Sequence, residues 1–321
     1  MDHTEIEKIF RIVDLIRTET NKVIVGKDHE VCCLISAVLA SGHVLIEDVP
    51  GTGKTVLAQA MAKACGLSFN RIQFTPDVMA SDVTGFNIYN RKTESFEFRP
   101  GIVMTNLLLA DEINRAAPRT QSSLLEAMEE RQVSVDGVTM SLPEPFLVIA
   151  TQNPIGSVGT YPLPEAQLDR FSMILRMGYP TREQEIEILR ARKTANPLSE
   201  VKAVANPEII KALTAFTERV KVSEKIENYI VDIVSATRGY RDLTLGASPR
   251  ASLILMKLSR AVAVINHRTY VTPDDVVLIA PVALSHRVKL SRDAVGRGLN
   301  AQSVIKGIIS SVQIPFDTAE I

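Results

Sequence analysis

The sequence is most informative at first through what it has little of. Cysteine is scarce, three in 321 residues. The number is odd and Cys32 and Cys33 are adjacent, a poor geometry for a bridge. A disulfide scaffold is thereby excluded, and all three, Cys65 included, read as small core side chains of a reducing compartment. Long hydrophobic runs are missing too. The most apolar stretch, Val31 to Ile46, is too short to span a bilayer and is broken by Ser41-Gly42-His43, so no membrane insertion is expected. No excess of one charge exists: 36 Lys and Arg face 37 Asp and Glu, a formal net charge of −1. That argues against a chain built mainly to neutralise a phosphate backbone. The first residues, Met1 to Glu7, are acidic and polar, unlike a secretory signal. With a near-neutral isoelectric point, this points to the cytoplasm. There is no internal repeat and no low-complexity tract. What is left is a globular chain, 45% apolar and 23% charged, long enough for two domains.

What the sequence does contain is organised around His43-Val-Leu-Ile-Glu-Asp-Val-Pro-Gly51-Thr-Gly53-Lys54-Thr55-Val56. An apolar strand runs into a Pro-Gly-Thr-Gly turn, and a helix-forming sequence begins at once. That order is the P-loop arrangement, in which backbone N–H groups and the positive helix end cradle phosphate oxygens. Pro50, Gly51, Thr52, Gly53, Lys54, Thr55 and Val56 form the expected nucleotide-binding loop. Gly51 and Gly53 supply positive φ and close backbone approach. Lys54 supplies a point charge for the β- and γ-phosphates, and the Thr55 hydroxyl a ligand for Mg²⁺. One departure stands out: the first Gly of the usual pattern is Asp48. A second element fits the first. Asn106-Leu-Leu-Leu-Ala110 is a buried-strand run ending in Asp111-Glu112, an acidic pair at a carboxyl strand end, where open α/β sheets bind ligands. Asp111 would hold Mg²⁺, usually through water, and Glu112 would polarise the attacking water.

Around these motifs the chain alternates. Helical periodicity over 5–20 and 29–40 flanks Val23-Ile-Val25-Gly26, which is either a neighbour of the adenine or a plain turn. Phe69 to Thr75 alternates like a strand. Two hairpin patterns follow, Thr84–Tyr89 with Ser95–Phe98, and Arg131–Leu142 around the turn pair Asp136-Gly137. Between them lies an amphipathic helix, 119–130. Strands are also expected over 146–151 and after Arg170. Asn153 closes the first of these at the proposed site, as a phosphate- and water-binding amide or as a turn residue. Gly178 marks a domain boundary, giving a core over 1–178 and a second domain over 179–321. The second half reads as all helix: 181–195, 207–219, 223–238, 248–267, 273–287 and 291–313. Arg287, Lys289, Arg292, Arg297 and Lys306 read as a solvated basic face. Arg250 lies two residues into a helix capped by Ser248, a position unfavourable for a cation. It contacts either a bound phosphate or a surface carboxylate.

Taken together these stretches resemble an AAA+ ATPase and, more closely, the MoxR family. The residues that carry the likeness are Ile46–Thr55 with Asp48 included, Leu108–Ala116, Thr120–Glu130, Ala150–Pro154, Tyr161–Phe171 and Gly246–Ala251. The match weakens at Ile102-Val-Met104 and over the last few residues. The resemblance implies an α/β P-loop NTPase fold: an αβα core with a parallel five-stranded sheet and inserted hairpins, followed by an all-α lid. It implies catalytic roles for Glu112, Asn153 as sensor 1, Arg170 as an arginine finger reaching a neighbouring subunit, and Arg250 as sensor 2. It also implies ATP and Mg²⁺ as cofactors, a homo-oligomeric and usually hexameric ring, and chaperone-like remodelling of client proteins, often ones with a von Willebrand factor A domain. A nucleic-acid-stimulated, helicase-like motor is the alternative, disfavoured by the balanced charge. A nucleotide-gated scaffold is disfavoured by the intact Glu112, Asn153 and Arg170.

Overall fold

A computed structural model of the chain describes residues 3–49, 51–152, 160–191 and 197–315. In order, the core comprises α1 (His3–Asn21), α2 (Asp28–Leu39), β1 (Val44–Glu47), α3 (Lys54–Ala64), β2 (Phe69–Gln73) and α4 (Ala80–Thr84). It continues through β3 (Gly85–Asn90), β4 (Ser95–Pro100), β5 (Leu107–Asp111), α5 (Pro118–Glu130), β6 (Gln132–Val135), β7 (Val138–Ser141), β8 (Leu147–Gln152), α6 (Glu165–Leu168) and β9 (Met173–Leu175). The second half holds α7 (Arg182–Ala191), α8 (Pro197–Glu200), α9 (Pro207–Glu218), α10 (Glu224–Ala236), β10 (Leu243–Leu245), α11 (Pro249–Ile265), α12 (Pro273–Leu284), β11 (Lys289–Leu290), α13 (Arg292–Gly296) and α14 (Ala301–Ser311).

Five strands form one sheet in the order β2-β5-β8-β1-β9, with every neighbour parallel. Because successive strand residues face opposite sides, the sheet feeds two apolar interiors. Val44, Ile46, Leu107, Leu109, Ile149 and Leu175 pack with α1, α2, α3 and the lid helices. Leu45, Leu108, Ala110, Val148 and Ile174 pack with α5, Phe74 and Val133. The expected hairpins form as separate antiparallel ribbons, β3–β4 and β6–β7. At the turn of the second, Asp136 and Gly137 both take positive φ, 48° and 80°, as a type I′ turn requires.

Two expectations need correction, and a third is met with one exception. The second half is not all helix: β10 and β11 pair as a short antiparallel ribbon. The stretch 291–313 is two helices, because Gly298 turns the chain at φ 76° and Asn300 starts a new helix by accepting from Ser303 N–H at 2.8 Å. The basic segment is a solvated face at Lys289, Arg292, Arg297 and Lys306, all exposed, with Arg287 the exception. Arg287 is buried against Asp169 (2.8 Å), Lys289 pairs with Glu165 (2.8 Å), and Arg297 pairs with Asp242 and Asp293. The expected helix over 181–195 is described as far as Ala191.

Candidate nucleotide site

β1 delivers the loop to the carboxyl edge of the sheet, and α3 starts at Lys54 with Gly53 as its N-cap. Gly51 and Gly53 sit at φ 87° and 89°. A Cβ on Gly51 would meet nothing within 4 Å, and one on Gly53 only Ile24 Cδ1 at 3.9 Å. These glycines are required by backbone conformation rather than by crowding. Asp48 shows why the pattern survives without its first glycine. It is not among the residues with positive φ, so a side chain is tolerated, and that side chain braces the loop. Oδ1 accepts from Val49 N–H (2.8 Å) and Oδ2 from Gly178 N–H (2.6 Å), at the start of the connection to the lid.

Lys54 Nζ donates to the carbonyls of Asp48 (2.7 Å) and Val49 (2.9 Å). Burial lowers its pKa, opposed by the charges of Asp48, Asp111 and Glu112, so lysine and acidic pair share one electrostatic field. Thr55 follows in the first turn of α3, half-buried. The acidic pair itself is locked by a residue the sequence did not reveal, Thr151 at the end of β8. Its hydroxyl donates to Asp111 Oδ1 (3.1 Å) and accepts from Glu112 N–H (2.9 Å). Arg71 on β2 adds an ion pair to Asp111 Oδ2 (2.7 Å), and Arg115 one to Glu112 Oε2 (2.9 Å). Glu112 occupies the left-handed region, φ 55° and ψ 48°, a conformation that costs a non-glycine residue energy and concentrates at functional sites.

Among the described residues no group of three or more His, Cys, Asp or Glu is placed to hold a metal ion. Asp111 and Thr55 are hard oxygen donors, however, and Mg²⁺ is commonly held by one or two protein oxygens, with water and phosphate completing the shell. The donor set fits that ion and not an all-protein cage. Beside the loop lies a cavity of about 190 Å³, lined by Val23, Ile24, Val25, Gly51, Thr52, Gly53 and Val56 from the core and by Pro180 and Ile188 from the lid side. Gly26 turns at φ 68°, where a Cβ would overlap the Gln184 side chain of α7. The Val25-Gly26 step is thus a turn that also walls a cavity next to the loop. Pro50 and Asn153 lie outside the described residues.

Arg170 and Arg250 do not join this group. Ser172 N–H donates to His43 O (2.8 Å), at the start of β1, which places the Arg170 loop at the amino edge of the sheet. Arg170 Nε is 3.0 Å from Glu129 Oε2 and Arg250 Nη1 is 3.1 Å from Glu129 Oε1. Glu129 lies in the last turn of α5, whose C-cap, Arg131, donates to Ser41 O and Phe146 O, just before β1 and β8. With β1 rising roughly 3.3 Å per residue, the length of that strand separates both arginines from their own P-loop. Arg250 thus meets a carboxylate in its own chain. Arg170, too, has an anion close by, one the sequence gave no reason to expect.

A loop lysine sharing its field with two strand-end carboxylates, beside a helical second half, is the arrangement of an AAA+ ATPase. Comparison with known proteins narrows the class. The family model described as "ATPase family associated with various cellular activities (AAA)" matches residues 43–173, and the AAA lid domain matches 235–308. YeaC, an uncharacterized protein of Bacillus subtilis (strain 168), is 49% identical over 94% of both chains. Chaperone MoxR1 of Mycobacterium tuberculosis is 41% identical over 92% of this chain and 81% of its own length. The crystal structure of a candidate ATPase from Cytophaga hutchinsonii superposes with a TM-score of 0.90 at 36% identity, over 98% of both chains. The chain belongs to the MoxR family of AAA+ ATPases, and it binds nucleotide and hydrolyses ATP. No described helix is long and apolar enough to cross a membrane.

Proposed function

We propose that Mg·ATP is hydrolysed between neighbouring subunits of a homo-oligomeric ring, six-membered as the resemblance implies, and that turnover remodels a client protein. Lys54 and the loop N–H groups hold the phosphates, Thr55 and Asp111 hold Mg²⁺, and Val25 and Gly26 flank the base. Mg²⁺ supplies charge neutralisation on the β- and γ-oxygens. Glu112 orients and deprotonates the attacking water, and Asn153 serves as sensor 1, the role the resemblance implies. Arg170 and Arg250 act on the neighbour's γ-phosphate.

The observation that carries this reading is the position of both arginines at the amino edge of the sheet, opposite their own P-loop. A guanidinium there serves another chain's nucleotide or none. The client reading draws support from the β3–β4 hairpin, which exposes Phe86, Ile88, Tyr89 and Phe96, the last 72% accessible. It is tied to the second hairpin by Asn87 Nδ2 donating to Asp136 Oδ2 (2.8 Å). Proteins with a von Willebrand factor A domain are the first clients to try.

Complementation tests the shared site. An arginine finger supplied in trans is worth about 10³–10⁵ in rate, so Arg170→Ala binds ATP and hydrolyses it that much more slowly. Lys54→Ala fails because the phosphates lose their point charge. Mixed under exchange, the two inactive proteins regain part of the ATPase rate, since some interfaces pair an intact loop with an intact arginine. Confirmed co-assembly without recovered activity would refute the shared site. A rate stimulated by nucleic acid would favour the motor alternative.

A further inference from the structure

Between α5 and the lid runs a chain of alternating charges that no assigned role explains. Arg170 and Arg250 occupy the two oxygens of one carboxylate, Glu129, at 3.0 and 3.1 Å. Arg250 Nε also faces Asp169 Oδ2 at 3.9 Å, and Asp169 Oδ1 accepts from Arg287 Nε at 2.8 Å. Arg287 is the fixed end of this row. Its guanidinium is buried and donates to the carbonyls of Asp169 and Phe171, which flank Arg170 in sequence. Burial brings its pKa down to about 10, opposed by Asp169. Glu129 is the other kind of member. Its side chain is 35% exposed, and beside it a polar groove is lined by Glu126, Glu130, Gln167 and Arg170.

Two oxygens of a carboxylate and two oxygens of a phosphoryl group present a similar bite to a pair of guanidiniums. We propose that Glu129 is a resident stand-in for the neighbouring subunit's γ-phosphate: it holds Arg170 and Arg250 side by side in the free subunit and is displaced from both when ATP arrives across the interface. This rests on the shared-site reading above. Two consequences follow from the connectivity. Exposed pairs of this kind are weak and exchangeable, so a dianionic phosphoryl group wins the competition where a diphosphate, lacking the terminal group, does not. And because Glu129 belongs to the core while Arg250 belongs to α11 of the lid, each exchange releases one lid-to-core tie. The neighbour's nucleotide is thereby read out in the lid of this subunit, while the Asp169–Arg287 pair keeps the arginine loop in place.

Glu129→Gln keeps the shape and removes the charge. In a Glu112→Gln background, which retains ATP, the full-length protein is followed by sedimentation velocity in ATP and in ADP. Loss of the competing anion lowers the subunit concentration at half-assembly in ATP by about threefold to tenfold and leaves the ADP value in place. Glu129→Ala shifts it in the same direction, and a thermal melt checks the fold of both. Glu126→Gln, which removes a charge from the same groove without releasing either arginine, is the control. No ATP-specific shift, an equal shift in ADP or in the control, or weaker assembly in ATP overturns the proposal. Arg170→Ala in the same background separates the two levels. If it assembles in ATP as its parent does, the shared site itself fails. If it assembles poorly while Glu129→Gln shifts nothing, only the role of Glu129 fails.

Discussion

Mild acid will loosen this protein first beneath the arginine loop, and the reason is a single histidine. His43, 5% exposed, stands at the start of β1. Its Nδ1 accepts from Val148 N–H at 3.0 Å, so the ring proton sits on Nε2, which donates to Met128 O at 3.0 Å. Its own carbonyl accepts from Ser172 N–H. A proton added to Nδ1 would face a backbone N–H. Burial, reinforced by the charge of Arg131, brings the pKa from 6.5 down to about 3. The unfolded chain takes up a proton near pH 6.5 that the folded chain refuses. Stability is therefore full above that value and falls as pH drops toward about 3, by about 1.4 kcal/mol per pH unit. Between pH 6.5 and about 5 the loss from this group is roughly 2 kcal/mol. His286, half-buried and within reach of Phe171 O, has its pKa lowered by desolvation and by the Arg287 charge, and adds in the same direction. Urea unfolding from pH 7.5 to 5 measures the slope. His43→Gln lowers stability throughout, but its slope is shallower than wild type by one proton's worth. An unchanged slope, or a His43 imidazole that titrates near pH 6.5 by NMR in the folded protein, would refute the reasoning.

Glu112→Gln keeps ATP affinity and loses about 10²–10⁴ in turnover, the usual worth of a positioned base; a filter-binding assay beside a phosphate-release assay separates the two. Arg268→Met strands Asp275, which is 1% exposed and pairs with Arg268 at 2.5 Å, and costs about 3–5 kcal/mol in urea unfolding, because a buried charge loses its partner. Gly26→Ala forces a side chain into a left-handed turn at about 1–2 kcal/mol and displaces the Gln184 side chain of α7, beside the cavity. Its melting temperature falls and rises less on addition of ATP than that of the wild type.

The elements that could be read from the sequence were those whose signal is local. Strand, glycine turn and helix from Val44 to Ala64, the buried run ending at Asp111, and the Asp136-Gly137 turn each announce themselves within a few residues, and all formed. The partners that hold the site in place were hidden because they arrive from distant elements. Thr151 locks an acidic pair 39 and 40 residues away, Asp48 reaches Gly178, and Glu129 meets Arg250 across 121 residues. A carboxylate on an amphipathic helix carries no mark of which cation it will meet. Within the basic segment Arg287 was hidden for the same reason: nothing near it in the sequence announces that the fold will bury it against Asp169.

The alternation of side chains through the central sheet has a mechanical consequence. Leu45 points into the layer that holds α5 and the second hairpin, whereas Val44 and Ile46 point into the layer shared with the lid helices. Each strand is thus a common wall, one residue thick, between the compartment shared with α3 and the lid helices and the compartment that holds α5 and the second hairpin. Close-packed interiors transmit displacement instead of absorbing it. A lid that shifts on one side of the wall pushes on the same strands that seat Phe74 and Val133 on the other. Thinning that seat, as Val133→Ala would, loosens the footing of the second hairpin without touching the nucleotide loop on the far side of the wall.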